Sequence, residues 1–240
     1  ANISSQYISA LLLIAPKLAN GLRLHLEGEI TSLPYIKMTL ALLERLGIKT
    51  SFEGKIIAIP FQTTIEKQTQ VVESDWSSAS YWFSSLSLAE DGEIHLSNYR
   101  EDSLQGDAVL RKIYRQLGVD SHFEGNTLIL KKKTNFILPE KIELDLVEAP
   151  DIAQTITVSC YGLGVACDLT GLHTLKIKET DRLLALEKEL SKLGAIITVD
   201  DKSLQLAAIQ NFQSNQSIDT YHDHRMAMAF APLGLKIPLH

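Results

Sequence analysis

Apolar and polar positions follow the same order in three segments of the chain. Each segment predicts an amphipathic helix that ends in Leu-Gly, then a short strand, a tight turn and a second strand. The helix-ending glycines are Gly47, Gly118 and Gly194, and Phe-Glu-Gly forms the first two turns at 52–54 and 123–125. This order predicts a repeated supersecondary unit; the alternative is coincidence among unrelated αβ segments.

A second helix and another strand precede each of these segments. The extra helices are predicted at 4–18, 77–88 and 151–161, and the extra strands at 22–26, 93–97 and 164–169. Opening strands are predicted at 70–73 and 141–147. The complete unit therefore reads β-α-β-α-β-β, which places the chain in the α/β (α+β) class. A further unit is expected to begin with a strand at 217–220 and a helix from 223 to about 233.

The order of the units predicts two lobes. Residues 1–70 hold one incomplete unit without an opening strand, and residues 73–240 hold two complete units and one incomplete unit. A short connection near Thr69 to Val72 joins them, and we expect few contacts between the lobes. Whole units flanked by broken ones also predict an internal fragment of a longer protein.

Composition and charge narrow the classes of partner. The chain has 240 residues, 45% hydrophobic and 22% charged, with a formal net charge of -6. This charge argues against nucleic acid, although a local cationic cleft can still bind a small anion. No apolar run reaches membrane-spanning length, and no basic-then-apolar signal opens the chain. Cys160 and Cys167 have neither metal nor disulfide-framework spacing, so we expect a reducing, cytoplasmic location.

The stretch KIKETDRLLALEKELSKLG concentrates charge at a predicted strand-to-helix junction. Lys178 and Arg182 lie four residues apart, with Glu179 and Asp181 between them. Free backbone N–H groups at a helix start favour anions, so these cations and the helix start together would form an anion site with an acid beside it. The alternative is a solvated helix start with Thr180 or Asp181 as the N-cap.

Other helix starts are polar, which N-capping alone explains in most cases. Arg225 is different, because a cation in the first helical turn opposes the helix dipole unless an anion lies there. An ion pair between Arg225 and Asp223 is the alternative to a ligand site. Ser32 and Tyr35 also open a helix, and the Tyr35 hydroxyl faces either a ligand or solvent.

Several motifs resemble those of the 5-enolpyruvylshikimate-3-phosphate (EPSP) synthase family. KETDR at 178–182 and DHRMAM at 223–228 are the most specific, and SSQYISALLLIAP at 4–16 and TSLPYI at 31–36 add two more. VESDWSSASYWF at 72–83 resembles the entry to the family's second domain, with a tryptophan in place of a small residue. The resemblance runs in order along essentially the whole chain. The related enolpyruvyl transferase that acts on UDP-N-acetylglucosamine shares the fold but not KETDR.

The resemblance implies an enolpyruvyl-transferase-like fold with three β-α-β-α-β-β units in each of two domains and the substrates between them. It implies transfer of the enolpyruvyl group of phosphoenolpyruvate to the 5-hydroxyl of shikimate 3-phosphate, with release of phosphate. This is a step of the shikimate pathway of aromatic amino-acid biosynthesis. No metal or organic cofactor is implied. We therefore expect these two small molecules as partners, no nucleic acid or membrane, and a monomer.

The resemblance also implies roles for individual residues. It assigns Asp151 to the acceptor hydroxyl and to base catalysis, Lys178 to substrate contact, and Glu179 to proton transfer. The residues implied to hold shikimate 3-phosphate are Ser4, Ser5, Gln6, Ser32 and Tyr35. Those implied on the phosphoenolpyruvate side are Arg182, His224 and Arg225.

These residue types suit the implied chemistry. Both substrates are polyanions, so cations must hold them together, and arginine does this with two parallel hydrogen bonds. The acceptor hydroxyl loses a proton and the methylene carbon of phosphoenolpyruvate gains one, which requires an acid and a base on opposite faces of the reacting carbon. Asp151 and Glu179, on separate elements, meet this requirement. Thr174 departs from the family, which often places a polar amide there.

Three functional classes remain open. The first is part of an enolpyruvyl transferase. The second is a non-catalytic anion-binding module that retains the fold, and the third is a structural repeat protein without a ligand. The family's N-terminal lysine, arginines and Gly-Thr segment have no counterpart here, and its last lysine would lie beyond His240. We therefore expect the chain by itself not to catalyse the reaction.

Overall fold

The computed structural model describes residues 5–28, 30, 33–209 and 211–240, with the side chain of Ser5 left out. The α-helices are α1 (Ser5–Ile14), α2 (Leu33–Arg45), α3 (Trp76–Leu88), α4 (Leu110–Arg115), α5 (Ala153–Leu163), α6 (Arg182–Lys192) and α7 (His224–Phe230). The strands are β1 (Leu22–His25), β2 (Ser51–Glu53), β3 (Ile56–Ile59), β4 (Glu93–Ser97), β5 (Val119–Glu124), β6 (Thr127–Lys132), β7 (Lys141–Asp145), β8 (Ala166–Thr170), β9 (Ile197–Val199) and β10 (Leu204–Leu206). Short 3-10 turns lie at Ala15–Lys17, Gly106–Val109, Pro150–Ile152, His173–Ile177 and Ala231–Leu235.

Tertiary contacts divide the chain into two compact units. Unit 1 comprises the described residues of Ala1–Val72 together with Leu104–Gly106, and unit 2 comprises Glu73–Ser103 and Asp107–His240. Each unit has a hydrophobic core of its own.

Unit 1 packs two helices and a small antiparallel sheet. Its strands lie in the order β1-β3-β2, with Leu22 opposite Ile59 and Ser51 opposite Ala58. Helices α1 and α2 contact each other. Thr39 on α2 donates a hydrogen bond to the Ser9 hydroxyl on α1 over 3.0 Å. The core between these elements consists mainly of leucine and isoleucine.

Unit 2 contains one complete β-α-β-α-β-β repeat, formed by β7, α5, β8, α6, β9 and β10. Its four strands lie in the order β7-β8-β10-β9. The β7–β8 pair is parallel, as a crossover through α5 requires, and the other two pairs are antiparallel. A second, three-stranded sheet has the order β4-β6-β5.

Two predicted strands do not form. Residues 70–73 lie outside any strand, and Val71 and Val72 are 70% and 81% exposed, so no burial of apolar surface favours an extended pairing there. Unit 2 therefore has one complete repeat rather than the two expected. At 217–220 the predicted strand is reduced to a single bridge: Gln216 pairs with Leu239 and the Ile218 N–H bonds the His240 carbonyl over 2.9 Å. The pairing stops there because the next N–H, that of Asp219, bonds the Glu189 carboxylate.

The first helices of the successive repeats in unit 2, α3, α5 and α7, pack against one another. Small polar side chains allow close approach of α3 and α5: the Ser80 and Thr155 hydroxyls are 3.1 Å apart, and Ser159 donates to Ser84 over 2.8 Å. Buried hydroxyls that pair with each other avoid the cost of unsatisfied polar groups. This packing brings residues near the starts of the three helices into one neighbourhood.

Candidate active site

Asp151 lies at the centre of a charged cluster in unit 2. Its Oδ1 is 3.2 Å from Lys178 Nζ and 3.1 Å from Arg182 Nη1, and its Oδ2 is 3.8 Å from Arg225 Nη2. Asp151 lies in the 3-10 turn before α5, Lys178 just before α6, Arg182 at the start of α6 and Arg225 in the first turn of α7. The starts of successive helices thus bring residues that are distant in the sequence to one carboxylate.

The guanidinium of Arg182 contacts three carboxylates. Its Nε donates to Asp223 Oδ2 over 2.7 Å, and its Nη2 donates to Glu179 Oε2 over 2.6 Å, in addition to the contact with Asp151. The side chain is 1% exposed, whereas those of Lys178 and Arg225 are 26% and 17% exposed. An incoming anion would therefore meet Lys178 and Arg225 first, and would reach Arg182 by displacing Glu179.

Aspartates cap the helices that carry the cluster. Asp181 Oδ1 accepts from the Leu184 N–H over 3.2 Å, which confirms the capping interpretation for this residue. Asp223 Oδ1 accepts from the Arg225 N–H over 2.8 Å and caps α7. The alternative of an ion pair between the Asp223 and Arg225 side chains is not what forms, because Arg182 binds the Asp223 carboxylate and Arg225 faces Asp151.

The charges hold each other in ionised form. Burial acts to raise the pKa of Asp151, but the positive charges of Lys178, Arg225 and Arg182 outweigh it and hold that pKa below its usual value. Burial acts to lower the pKa of Arg225, but Asp151 outweighs it and the pKa is raised. Asp151 is therefore a carboxylate at neutral pH, able to accept a hydrogen bond from a hydroxyl but a weak base while all three cations surround it.

Two side chains beside the cluster were not predicted. Arg225 lies near the Tyr81 hydroxyl on α3, and burial raises the pKa of that hydroxyl although the Arg225 charge opposes the rise. Asp107 is buried, accepts a hydrogen bond from the Ser77 hydroxyl, and has no partner for Oδ1 among the described residues. Burial raises the pKa of Asp107 to about 6. Tyr81 lies within α3 and Asp107 in the 3-10 turn before α4, and neither position carries a sequence signal beyond helix packing and capping.

Other expected site residues lie in unit 1, at the start of α7 or outside the described part of the chain. Ser4 and Ser32 are outside the described residues, as is the Ser5 side chain. Gln6 is exposed on α1 and Tyr35 is half-buried on α2, both in unit 1. His224 is exposed in the first turn of α7.

Thr174 occupies the position where the resemblance leads one to expect an amide. Its hydroxyl is buried without a hydrogen-bond partner among the described residues, and so is Nε2 of the neighbouring His173. Gln154, three residues after Asp151 and at the start of α5, is buried, and neither its side-chain oxygen nor its nitrogen has a hydrogen-bond partner among the described residues. Sequence reasoning did not single out Gln154.

Within the described ranges, no group of three or more His, Cys, Asp or Glu side chains is arranged to hold a metal ion. None of the helices described here is both long and apolar enough to cross a bilayer. Cys160 and Cys167 are free and buried.

Comparison with known proteins identifies the family. The profile of the EPSP synthase (3-phosphoshikimate 1-carboxyvinyltransferase) family matches residues 1–238. A 3-phosphoshikimate 1-carboxyvinyltransferase from Bacteroides fragilis (strain YCH46) is 42% identical over 241 residues, covering 99% of this chain and 58% of the relative. A protein of the same name from Dehalococcoides mccartyi is 34% identical, with coverage of 97% and 54%.

Solved structures share the fold. The EPSP synthase from Acinetobacter baumannii superposes with a TM-score of 0.75 at 20% identity, covering 99% of this chain and 56% of that one. The enolpyruvyl transferase NikO from Streptomyces tendae gives a TM-score of 0.59 at 14% identity, covering 95% and 52%. The chain thus spans a little over half the length of the proteins it matches. Because the family profile covers nearly all of it, this chain belongs to the EPSP synthase family.

Proposed function

We propose that this chain contributes the phosphoenolpyruvate-binding side of an enolpyruvyl transferase that transfers the enolpyruvyl group to the 5-hydroxyl of shikimate 3-phosphate. The observation that carries the proposal is the convergence of Lys178, Arg182 and Arg225 on Asp151 in a chain of this family. Cations that meet at helix starts are suited to a substrate bearing both a phosphate and a carboxylate.

Binding proceeds from the exposed cations inward. Lys178 and Arg225 meet the phosphate or carboxylate of phosphoenolpyruvate, and His224 is exposed on the same helical turn as Arg225. The anion then replaces Glu179 on Arg182, whose planar guanidinium offers two parallel donors. This exchange leaves the Glu179 carboxylate, already half-exposed, available for proton transfer.

Asp151 and Glu179 are proposed as the proton-transfer pair. Neutralisation of Lys178 and Arg225 by the bound anion weakens the field that lowers the pKa of Asp151, so Asp151 becomes a better base for the acceptor hydroxyl. Glu179 comes from a separate element and supplies or removes the proton at the methylene carbon.

Shikimate 3-phosphate is proposed to be held by Ser4, Ser5, Gln6, Ser32 and Tyr35, with Lys178 and Asp151 as further contacts. We also propose that 1–70 and 73–240 belong to the two lobes of the family's fold, which the division between Val72 and Glu73 supports. A cytoplasmic monomer that binds no nucleic acid or membrane is proposed on the net charge of -6 and the two free, buried cysteines.

A chimera tests the proposal directly. Residues 1–238 replace the matching segment of the Bacteroides fragilis relative, and phosphate release from phosphoenolpyruvate is measured with shikimate 3-phosphate as acceptor. We expect turnover, and we expect Asp151→Asn in the chimera to lower kcat by about 10²–10⁴ with little change in shikimate 3-phosphate affinity.

Other outcomes identify the alternatives. A folded chimera that binds phosphoenolpyruvate without turnover would favour a non-catalytic anion-binding module. Turnover with UDP-N-acetylglucosamine and not with shikimate 3-phosphate would favour the related transferase.

A further inference from the structure

A buried carboxylate on α6 anchors the segment that leads into the site. Glu189 has no exposed side-chain surface. Its Oε1 accepts from the Tyr221 hydroxyl over 2.5 Å, and its Oε2 accepts from the Asp219 N–H over 3.0 Å and from Lys192 Nζ over 2.6 Å. A fully buried carboxylate with three donors is a fixed point in the fold.

Lys192 adds to this anchor. Its Nζ also donates to Asp219 Oδ2 over 3.0 Å and to the Ser217 carbonyl over 3.3 Å. The two side chains of α6, Glu189 and Lys192, therefore hold the backbone of 217–221 at several points.

The segment anchored in this way is strained just before the site. Tyr221 and His222 have φ values of 56° and 55°, a left-handed conformation that residues with a side chain rarely adopt, and here two such residues are consecutive. Asp223 follows at once and caps α7, which carries His224 and Arg225. Strain of this kind persists only where surrounding contacts determine the conformation.

Helix α6 contacts the chain on both sides of the strained link formed by Tyr221 and His222. Arg182 and Glu189 are seven residues apart, two helical turns, and so lie on one face of α6. Arg182 binds the Asp223 carboxylate on one side of His222, and Glu189 binds the Tyr221 hydroxyl on the other. Thus α6 sets the path of the chain on both sides of His222.

We propose that Glu189 and Tyr221 are positioning residues for the anion site, because their hydrogen bond stabilises the strained link, whose conformation orients Arg225 and His224. The proposal rests on the proposed function, since it assumes that Arg225 binds phosphoenolpyruvate. Loss of the Tyr221 hydroxyl removes the contact of α6 next to His222 and leaves those at Ser217 and Asp219 in place, so that Tyr221 and His222 relax towards ordinary backbone angles. Arg225 then spends less time in the orientation that binds the anion.

The test compares two tyrosine hydroxyls in the 240-residue chain. Tyr221→Phe removes the bond to Glu189, and Tyr161→Phe removes a buried bond of 2.6 Å to the Leu193 carbonyl at the C-terminal end of α6, outside the 217–225 segment. Both variants are expected to melt at a lower temperature. Tyr221→Phe alone is expected to weaken phosphoenolpyruvate binding, by about three- to tenfold, as followed by calorimetric titration.

A second pair covers the carboxylate. Glu189→Gln retains the shape but removes the charge, and Glu187→Gln on the same helix is its control. We expect weaker phosphoenolpyruvate binding for Glu189→Gln and no change for Glu187→Gln. This pair also serves if Tyr221→Phe fails to fold.

Amide exchange separates the two proposals. If the wild-type chain binds no phosphoenolpyruvate, the proposed function fails, but the positioning role is still judged by hydrogen exchange at 223–225. Faster exchange there in Tyr221→Phe than in Tyr161→Phe supports the role. Equal exchange in the two tyrosine variants, or equal phosphoenolpyruvate affinities where the wild type binds, would overturn it.

Discussion

Arg182 shows how individual residues balance charge in the cluster. Three cations, Lys178, Arg182 and Arg225, face three carboxylates, those of Asp151, Glu179 and Asp223. The negative charges of Asp107 and Asp75 also act on Arg225 and raise its pKa. The cluster among the described residues is therefore not strongly positive, and an anion must compete with carboxylates already in place.

Glu179→Gln tests this competition. The change removes the charge that holds Arg182 Nη2 at 2.6 Å, so we expect the 240-residue chain to bind phosphate or phosphoenolpyruvate about three- to tenfold more tightly. In the chimera, the same change should lower kcat by about 10²–10⁴, because it removes the proposed proton-transfer group. Glu187→Gln, elsewhere on α6, should change neither. Weaker anion binding in Glu179→Gln would contradict the competition.

Asp107 gives a prediction about pH. Its pKa rises from an ordinary 3.8 to about 6, so the folded chain holds this proton more tightly than the unfolded chain does. The stability it contributes is fully present below about pH 4 and is lost as the pH rises through about 6, roughly 3 kcal/mol in all.

Asp107→Asn removes this pH-dependent loss of stability, because asparagine does not ionise. Between pH 4 and pH 7.5, we expect the free energy of unfolding of the variant to rise relative to the wild type by up to about 3 kcal/mol. Urea denaturation at the two pH values measures it. A difference between wild type and variant that is the same at both pH values would show that Asp107 ionises normally.

Elements, in contrast to single charges, were largely predictable from the sequence. Strand β4 forms at Glu93–Ser97, as predicted, and the three Leu-Gly helix ends form with φ of 78° at Gly47, 84° at Gly118 and 89° at Gly194. These features depend on local periodicity and on glycine. The prediction of a strand at 70–73 was wrong because two adjacent valines do not show whether a neighbouring strand will cover them.

The same limit applies to the site. KETDR and DHR at helix starts were visible in the sequence, and so was the capping role of Asp181. The burial of Arg182 against Asp223 was not, because helical periodicity gives the face of a helix and not its tertiary partner. Helical periodicity likewise places Glu189 within an amphipathic helix and gives no sign that its carboxylate is fully buried.

The turn after β8 gives a prediction at the scale of elements. Gly171 has φ of 78°, and a Cβ atom there would overlap the backbone of Val147, at 2.7 Å from its Cα. Gly125, in the β5–β6 hairpin of the same unit, has φ of 57° and open space around a Cβ atom. We expect Gly125→Ala to cost about 1 kcal/mol, from backbone strain alone.

Gly171→Ala should cost about 3 kcal/mol or more, because the turn must also move away from Val147. The turn leads to the 3-10 segment before Lys178, so anion binding should weaken as well. Chemical denaturation measures both variants. Equal losses of stability at the two glycines would mean that the backbone at 147 yields easily.

At the scale of the whole molecule, the two units have separate cores and different sizes. Unit 1 is the smaller, and small domains bury a lower fraction of their surface. We therefore expect two thermal transitions, with unit 1 unfolding first. Leu12→Ala should lower the temperature of the first transition only, and Ile156→Ala that of the second only. Each should cost its unit about 2–5 kcal/mol of unfolding free energy, because each side chain is fully buried in the core of its unit. Calorimetry that gives a single transition shifted by both variants would contradict independent lobes.

The central claim is that the cations around Asp151 bind phosphoenolpyruvate, and its most direct test is a titration of the 240-residue chain followed by ³¹P NMR. The account predicts weak binding that falls with added salt, and a further drop in affinity of about tenfold or more in Arg225→Gln, since Arg225 is one of the two partly exposed cations of the cluster. Arg115→Gln removes a cation that is 75% exposed and paired with Asp120, and it should leave the affinity unchanged. Equal phosphoenolpyruvate affinities for Arg225→Gln and Arg115→Gln, or no binding by the wild-type chain, would contradict the account.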